Sequence, residues 1–336
     1  METFPDMDIC MEIRDRFYSM GYGKTPLARI PLENGSEVLA KLEWFNPSGS
    51  IKSRAAFFMV MERLLKDDSN RNRIFVEGTS GNTGIAVAEV CATLGIRSRI
   101  IIPPGTMPET VAKLRETGTE LIITDEECGV TSTDKAIEMA ISMSRNDPEK
   151  YVSLHQHANP MNWKAHLFTT GPEIKKALGT SVDFVAVAMG TGGSVIGLSR
   201  YFRESDGSEN IMLQADDTSY IQGIRNYNKA RDKKIISENL SWIDSVQTVS
   251  AVDASEGVRE LIHDYGIMPG FSSGSNFSAA RRIALNYPGS RVLTVFPDSA
   301  EKYVALYEKL GICSKDVLMN RDFREIKSIR GTARII

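Results

Sequence analysis

Cysteine is scarce in this sequence of 336 residues. Only four occur, at Cys10, Cys91, Cys128 and Cys313, and no two of them form a CxxC pair. This wide spacing argues against a disulfide framework and against a zinc site of the common kinds. We therefore interpret the four cysteines as ordinary thiols and expect no metal site.

Long apolar runs are missing as well. No run reaches the roughly 18 residues that a membrane helix needs. The N-terminal stretch METFPDMDIC is acidic where a signal peptide would be basic. The sequence thus predicts a protein that does not enter a membrane, and the cytoplasm is the expected compartment.

An excess of positive charge is also absent. The chain has 40 Lys and Arg against 43 Asp and Glu, a formal net charge of -3. Nucleic acids and acidic membrane faces are bound by clustered Lys and Arg, so neither is an expected partner. Small molecules are the expected partners.

The length of the chain exceeds the length at which a single hydrophobic core stops growing, which favours two domains with a cleft between them.

Apolar, β-prone runs alternate with segments of helical period along most of the chain. The predicted strands cover residues 73–76, 98–102, 120–124, 184–189, 211–215 and 292–296, and a single helix is predicted over 300–310 after the last strand. This alternation indicates βαβ units, and we predict an α/β fold of two doubly wound parallel-sheet domains with the ligand in the cleft at the carboxyl ends of the strands. The polar run SRNDPEK is the predicted hinge. It leaves 46–150 as a smaller, mobile domain and 23–45 plus 151–336 as a larger, cofactor-binding one.

Two glycine- and hydroxyl-rich turns follow predicted strands: EGTSGNTGIA at 77–86 and MGTGGSVIG at 189–197. Such turns offer backbone N–H groups and a helix N-terminus, which suit a carboxylate or a phosphate. The alternative for the first turn is a simple helix cap by Ser80 or Asn82. For the second turn, a dinucleotide fingerprint fails at Val195, and the Walker GK[ST] sequence does not occur.

Three further segments belong with these turns. Taken alone, PGFSSGSN at 269–276 favours a helix cap over a site, and FPDSAEKY at 296–303 is by itself also consistent with a cap. NPSGSIKSR at 46–54 places one lysine in a constrained loop. Together the segments suggest an anionic cofactor held at several points and joined to an amine. Pyridoxal phosphate fits, because its aldehyde bonds to a lysine and its phosphate needs a glycine-rich cradle.

The order of five segments resembles the signature of the cysteine synthase and cystathionine β-synthase family, whose members are fold-type II pyridoxal phosphate enzymes. The five segments are NPSGSIKSR, TSGNTG, GTGG, SSG and PDSAEKY. HQHANPMNWKAHLFTTGPEI at 155–174 is similar to a further segment of that family. The resemblance runs from about Gly23 to Tyr303. It implies pyridoxal 5′-phosphate as the cofactor and a homodimer as the assembly.

The resemblance also implies roles for the matching positions. Lys52 would be the catalytic residue, bonded to the cofactor and carrying the proton. Asn82 would contact the 3′-oxygen of the cofactor, and Ser272 its ring nitrogen. The remaining cofactor contacts would be Gly190, Thr191, Gly192, Gly193, Ser194 and Asp298. The substrate contacts would be Thr79, Ser80, Gly81, Thr83 and Gln156.

The chemistry around the ring can be inferred from one of these positions. A neutral serine opposite the ring nitrogen makes a weaker electron sink than a carboxylate, which favours β-elimination over long-lived carbanion chemistry.

The histidines of the 155–174 segment are not assigned to the site. His166 is expected to fix its loop. His155 and His157 would share one face of a strand, but no third ligand accompanies them at metal spacing.

Arg225 departs from the pattern. It stands in YIQGIRNY, where most of the family has a second glycine. The segment resembles the branch that uses O-phosphoserine, and a guanidinium complements a phosphate better than an acetyl ester through bidentate, charge-assisted hydrogen bonds. The alternative is an arginine directed to solvent.

The loop PPGTMPETVAK at 103–113 also departs from the pattern, because it lacks the MSxER run common in the family. This departure leaves the identity of the second substrate open.

We therefore expect β-replacement on an activated L-serine, with O-phosphoserine favoured over O-acetylserine and sulfide as the nucleophile that gives L-cysteine. Alternatives with the same fold are cystathionine β-synthase, a diaminopropionate-type synthase and a serine or threonine dehydratase. A pyridoxal phosphate-binding protein without turnover is a different class, against which the intact Lys52 and TSGNTG argue. A nucleotide-binding oxidoreductase is disfavoured at Val195.

Overall fold

The computed structural model describes residues 6–125, 132–230, 233–319 and 333–336. Its strands are β1 (Leu27–Pro31), β2 (Glu37–Leu42), β3 (Ile74–Gly78), β4 (Ser98–Ile102), β5 (Glu120–Ile123), β6 (Tyr151–Ser153), β7 (Phe184–Ala188), β8 (Glu209–Ala215), β9 (Ser245–Val249), β10 (Arg291–Phe296) and β11 (Arg334–Ile335). Its α-helices are α1 (Met7–Ser19), α2 (Lys52–Lys66), α3 (Asn82–Thr93), α4 (Pro108–Glu116), α5 (Ser132–Asn146), α6 (Met161–Ala165), α7 (Gly171–Leu178), α8 (Gly193–Asp206), α9 (Lys234–Ser237), α10 (Ala251–His263), α11 (Phe271–Asn286), α12 (Val304–Lys309) and α13 (Lys315–Met319).

The strands form two sheets. One has seven strands in the order β11-β1-β2-β10-β7-β8-β9, and the other has four in the order β5-β4-β3-β6. The four-stranded sheet is parallel throughout, and in the larger sheet the antiparallel pairs are those that β1 makes with β2 and β11. The predicted α/β fold is confirmed, with one sheet parallel and the other parallel except for the pairs that β1 makes. Among the described helices, none is both long and apolar enough to cross a bilayer.

One predicted helix differs from the structure. A single helix was expected over 300–310, but a 3-10 turn at Ala300–Lys302 and α12 are separated by Tyr303, whose hydroxyl donates to Oδ2 of Asp298 at 3.1 Å. The hinge prediction placed a domain boundary at residue 150, whereas β6 pairs with β3 in the smaller sheet. We propose that the smaller unit extends through β6.

Helix α2 is buried on nearly every side, which is why its sequence KSRAAFFMVMERLLK is apolar around most of the helix. It packs against α1, α3 and α6. Phe57 and Phe58 are fully buried in this contact and pack edge-on against Phe17 of α1. Because Lys52 is the first residue of α2, this packing fixes the position of the lysine backbone.

A buried cluster of charges joins α2 to the larger sheet. Nε of Arg54 lies 2.6 Å from Oε2 of Glu43, and its Nη1 lies 2.7 Å from Oε1 of Glu173 on α7. Nζ of Lys41, on β2, lies 2.9 Å from Oε2 of Glu173. Burial alone would raise the pKa of Glu173, but the charges of Arg54 and Lys41 outweigh it and hold that pKa well below its ordinary value. We call these four residues the Arg54 cluster.

We expect Glu43→Ala to lower the free energy of unfolding by ~3–5 kcal/mol, because it leaves the guanidinium of Arg54 buried without one of its two carboxylates. Chemical denaturation followed by circular dichroism measures this change. The matched control is Glu12→Ala, which removes the exposed carboxylate that pairs with Arg16 on α1 and should have a much smaller effect. Equal losses in the two variants would contradict a clamping role for the Arg54 cluster.

Candidate active site

A cavity of about 480 Å³ opens at the carboxyl ends of β3, β7, β8 and β10. It therefore lies where strands of both sheets end, as expected for a ligand site in a doubly wound fold. Of the residues predicted from the sequence to form the site, all except Gly192 and Gly193 line it, namely Lys52, Thr79, Ser80, Gly81, Asn82, Thr83, Gln156, Gly190, Thr191, Ser194, Arg225, Ser272 and Asp298.

The hydroxyl groups of NPSGSIKSR build the loop that presents Lys52. The hydroxyls of Ser48 and Ser53 lie 2.7 Å apart, and the backbone N–H of Ser48 donates to the Ser53 hydroxyl at 3.2 Å. Gly49 has a φ of 71°, a conformation that glycine adopts without strain. The N–H of Ile51 donates to the carbonyl oxygen of Pro297 at 2.9 Å, which ties the loop to the end of β10. Lys52 is therefore held at the meeting point of the two sheets.

The amine of Lys52 is electrostatically perturbed. Burial, reinforced by the like charge of Arg225 and opposed by Asp298, lowers its pKa to about 8. The neutral fraction of the amine near physiological pH is thus larger than that of an ordinary lysine, although the protonated form still predominates. A neutral lysine amine is a nucleophile toward carbonyl groups and a base toward carbon acids.

In the turn before α8, the backbone lies very close to neighbouring protein atoms. Gly192 has a φ of 94°, and a Cβ there would lie 2.5 Å from Cδ1 of Ile236. A Cβ on Gly190 would lie 2.6 Å from the carbonyl oxygen of Gly223, and one on Gly193 would lie 2.0 Å from Oδ1 of Asn162. Protein neighbours thus leave no room for a side chain at these three positions, and the positive φ of Gly192 favours glycine there as well.

A phosphate fits this end of the cavity. Thr191 and Ser194 line it at the start of α8, where the first N–H groups of the helix have no partner within the helix. The side-chain amide of Asn162 donates to the hydroxyl of Thr191 at 2.9 Å and so fixes its position. These residues would hold the phosphate group of pyridoxal phosphate.

The turn before α3 forms the opposite wall. The N–H of Gly81 donates to the hydroxyl of Thr79 at 3.2 Å, and the hydroxyl of Thr83 donates to Oε1 of Gln156 at 2.7 Å. Behind Gln156, burial raises the pKa of Glu77 to about 7. The turn therefore combines hydroxyl donors with a helix N-terminus, an arrangement that suits a carboxylate.

Arg225 lies on the cavity wall. Its backbone N–H donates to the carbonyl oxygen of Met189 at 2.7 Å, and its carbonyl accepts from the N–H of Ala215 at 3.2 Å. The segment thus crosses the ends of β7 and β8. The side chain is partly exposed, and its charge is one of the causes of the lowered pKa of Lys52.

Sequence reasoning missed part of the cavity lining. The segment that follows β8 contributes Asp216, Asp217, Ser219, Tyr220, Gln222, Asn226 and Lys229, and other elements contribute Thr133, Asp134, His157 and Tyr303. The predicted strand end at Ala215 was a usable signal for Asp216 and Asp217, since ligands gather at the carboxyl ends of parallel strands.

The three histidines of the 155–174 segment also differ in placement. The expectation that His155 and His157 share a face of a strand is wrong, because β6 ends at Ser153 and His155 has a φ of 49°. His157 instead lines the cavity. His166 is buried, with Nδ1 2.9 Å from the hydroxyl of Thr170, and burial, reinforced by Arg54, holds its pKa well below 6.5.

Comparisons with known proteins agree with this geometry. The family described as "Pyridoxal-phosphate dependent enzyme" matches residues 18–298. Cysteine synthase B of Salmonella typhimurium is 36% identical over 287 residues, which cover 84% of this chain and 92% of that protein. The structure of a cysteine synthase from Entamoeba histolytica matches with a TM-score of 0.77 and 29% identity, over 96% of this chain and 99% of that one. An O-ureido-L-serine synthase matches with a TM-score of 0.78 and 26% identity, over 92% and 98%.

The pKa of Lys52 can be tested through its reactivity. Because only the neutral amine attacks an aldehyde, the rate at which the apoprotein takes up pyridoxal 5′-phosphate should rise with pH and level off above about 8. Arg225→Ala should move this inflection to higher pH, since it removes a like charge that disfavours the protonated amine. Stopped-flow absorbance measures the rate.

The reaction of the same aldehyde with free Nα-acetyl-lysine is the control for titration of the cofactor itself. An inflection at the same pH in wild type and Arg225→Ala would show that the guanidinium does not act on Lys52.

Proposed function

Because this chain belongs to the family of pyridoxal-phosphate dependent enzymes and is an enzyme of the cysteine synthase type, we propose that it replaces the phosphate of O-phosphoserine with sulfide to give L-cysteine. O-Acetylserine is the second donor. The observation that carries the choice of donor is the position of Arg225 on the wall of the cavity that Lys52 also lines.

Lys52 serves as the base in this proposal. When bound, pyridoxal phosphate draws electrons from the α-carbon of the amino acid, so that the α-proton becomes removable and the β-substituent can leave. The amine of Lys52, with its pKa lowered to about 8, has the neutral fraction that a base needs near neutral pH. Its fixed backbone at the start of α2 restricts the positions from which the amine can reach that proton.

The turn before α3 orients the amino acid. We assign the substrate carboxylate to Thr79, Ser80, Gly81 and Thr83, with Gln156 beside them. The N-terminus of α3 favours negative charge at this point. A carboxylate held there and an α-proton directed at Lys52 together fix the direction in which the β-substituent points.

Arg225 favours a phosphate as that substituent. In this proposal the α-carbon approaches Lys52, and the atom attached to the β-carbon occupies the part of the cavity that Arg225 borders. A guanidinium binds a phosphate through bidentate, charge-assisted hydrogen bonds, which a neutral acetyl ester matches less well. Lys229 also lines this region, but it lies 3.0 Å from a carboxylate oxygen of Asp217, which offsets its charge.

Sulfide as the nucleophile is supported by the cysteine synthases among the relatives. A thiol amino acid, an amine or water as the nucleophile would give the alternative activities of cystathionine β-synthase, a diaminopropionate-type synthase or a dehydratase. Product analysis with a panel of nucleophiles distinguishes them. A homodimer and a cytoplasmic location stay predictions from the sequence.

We expect Lys52→Ala to remain folded and to bind the cofactor without turnover, since the variant lacks both the amine that bonds to the cofactor and the base. Product formation from each donor with sulfide measures turnover, and circular dichroism confirms the fold. Retained turnover in this variant would contradict the assignment of Lys52.

Arg225→Ala should lower kcat/KM for O-phosphoserine by a factor on the order of 10 to 100, the equivalent of ~1.5–3 kcal/mol for a lost hydrogen bond to a charged group. The same variant should change kcat/KM for O-acetylserine little, so the acetyl donor is the internal control. Equal losses for the two donors would mean that Arg225 supports the loop, and a wild-type preference for O-acetylserine would reject the phosphate proposal.

A further inference from the structure

Another buried lysine lies directly behind the cavity wall. Lys302 belongs to the 3-10 turn that follows β10, and it is 4% exposed. Its amine donates to Oδ1 of Asn82 at 2.5 Å. Asn82 lines the cavity, whereas Lys302 is not among the described residues that do so. The lysine therefore reaches the site through Asn82.

Lys302 and Asp298 together fix the orientation of the Asn82 amide. Nδ2 of Asn82 donates to Oδ2 of Asp298 at 2.7 Å, while its Oδ1 accepts from Lys302. An ammonium group can only donate, and a carboxylate can only accept. Turning the amide over would place donor against donor and acceptor against acceptor, so this environment allows one orientation.

Asp298 is itself held in place. The hydroxyl of Tyr303 donates to its Oδ2 at 3.1 Å, and the N–H of Gly270 donates to its carbonyl oxygen at 2.8 Å. A Cβ on Gly270 would lie 1.9 Å from Oδ1 of Asp298, so the carboxylate occupies space that only a glycine leaves open. The acceptor for Asn82 is thus rigidly placed.

Two carboxylates oppose the effect of burial on the pKa of the Lys302 amine. Burial lowers its pKa to about 8, Asp298 and Glu301 oppose that shift, and the like charge of Lys113 on α4 adds to it. Burial correspondingly raises the pKa of Asp298. Lys302 and Asp298 flank the Asn82 amide as donor and acceptor in the wall of the cavity.

We propose that Lys302 is a positioning residue that, through Asn82, sets both the affinity for pyridoxal phosphate and the ionisation of its 3′-oxygen. Nδ2 has two hydrogens, and the one not given to Asp298 remains for the 3′-oxygen. An amide whose oxygen accepts from an ammonium is a stronger donor at nitrogen. The positive charge behind the amide further favours a negatively charged oxygen in front of it.

This inference rests on the cofactor contact assigned to Asn82, and not on the donor or the nucleophile. It can therefore be tested on the cofactor-loaded protein without any substrate. Failure of the phosphoserine proposal would leave the result unchanged.

The variants are Lys302→Met, which keeps the length of the side chain without its charge, and Lys302→Arg, which keeps the charge. Lys309→Met makes the same charge change at an exposed position of α12 and is the matched control. Two quantities are measured: the Kd for pyridoxal 5′-phosphate from titration of the apoprotein, and the pH at which the visible absorption of the bound cofactor changes.

We expect Lys302→Met to weaken cofactor binding by a factor on the order of ten, as for a lost hydrogen bond to a charged group, and to move the absorption change to higher pH. Lys302→Arg should bring the Kd and the pH of the absorption change part of the way back to the wild-type values. Lys309→Met should match wild type in both quantities. In an Asn82→Ala background, Lys302→Met should add little, because the two residues act as a unit.

A Kd and an absorption profile in Lys302→Met that match wild type would overturn the proposal, as would a full additional effect in the Asn82→Ala background. If Lys302→Met does not fold, Lys302→Gln replaces it, since glutamine keeps an N–H donor for Asn82 but removes the charge. An unshifted absorption profile in Lys302→Gln would likewise overturn the proposal.

Discussion

The site depends on the burial of the Arg54 cluster beneath the first turn of α2. Arg54 is two residues after Lys52, and its ion pairs with Glu43 and Glu173 hold the start of that helix against segments that belong to the larger sheet. The hydrogen bond from Ile51 to Pro297 fixes the same turn from the other side. The reactive amine therefore projects from a backbone that is anchored at both ends, although it stands where two sheets meet.

Positively charged groups and helix N-termini surround the amine of Lys52. The N-termini of α3, α8 and α11 all begin beside the cavity, and Arg225 adds a full charge. Such an environment attracts the carboxylate and phosphate groups of a cofactor and an amino acid. The charge of Arg225 also disfavours a protonated amine, and it adds to burial, the larger cause of the lowered pKa of Lys52.

The sequence predicted the local parts of this arrangement well and the long-range parts poorly. The turns that contain Asn82 and Thr191 follow buried strands, and a strand end followed by glycines and hydroxyls is visible in a short window. The contact between Asn82 and Lys302 joins residues 220 positions apart, and nothing near either residue indicates the other. For the same reason the split of the predicted helix at Tyr303 was missed, because the hydrogen bond to Asp298 depends on tertiary structure.

Mapping the cofactor attachment point tests the role of Lys52 most directly, because Lys302 offers a second buried amine whose pKa is also lowered to about 8. Borohydride reduction of the loaded protein fixes the cofactor covalently to the amine that holds it, and mass spectrometry of the peptides locates it. The expected result is a single modified peptide that contains Lys52. Modification at Lys302 or at another lysine, with the peptide around Lys52 unmodified, would contradict the proposed site.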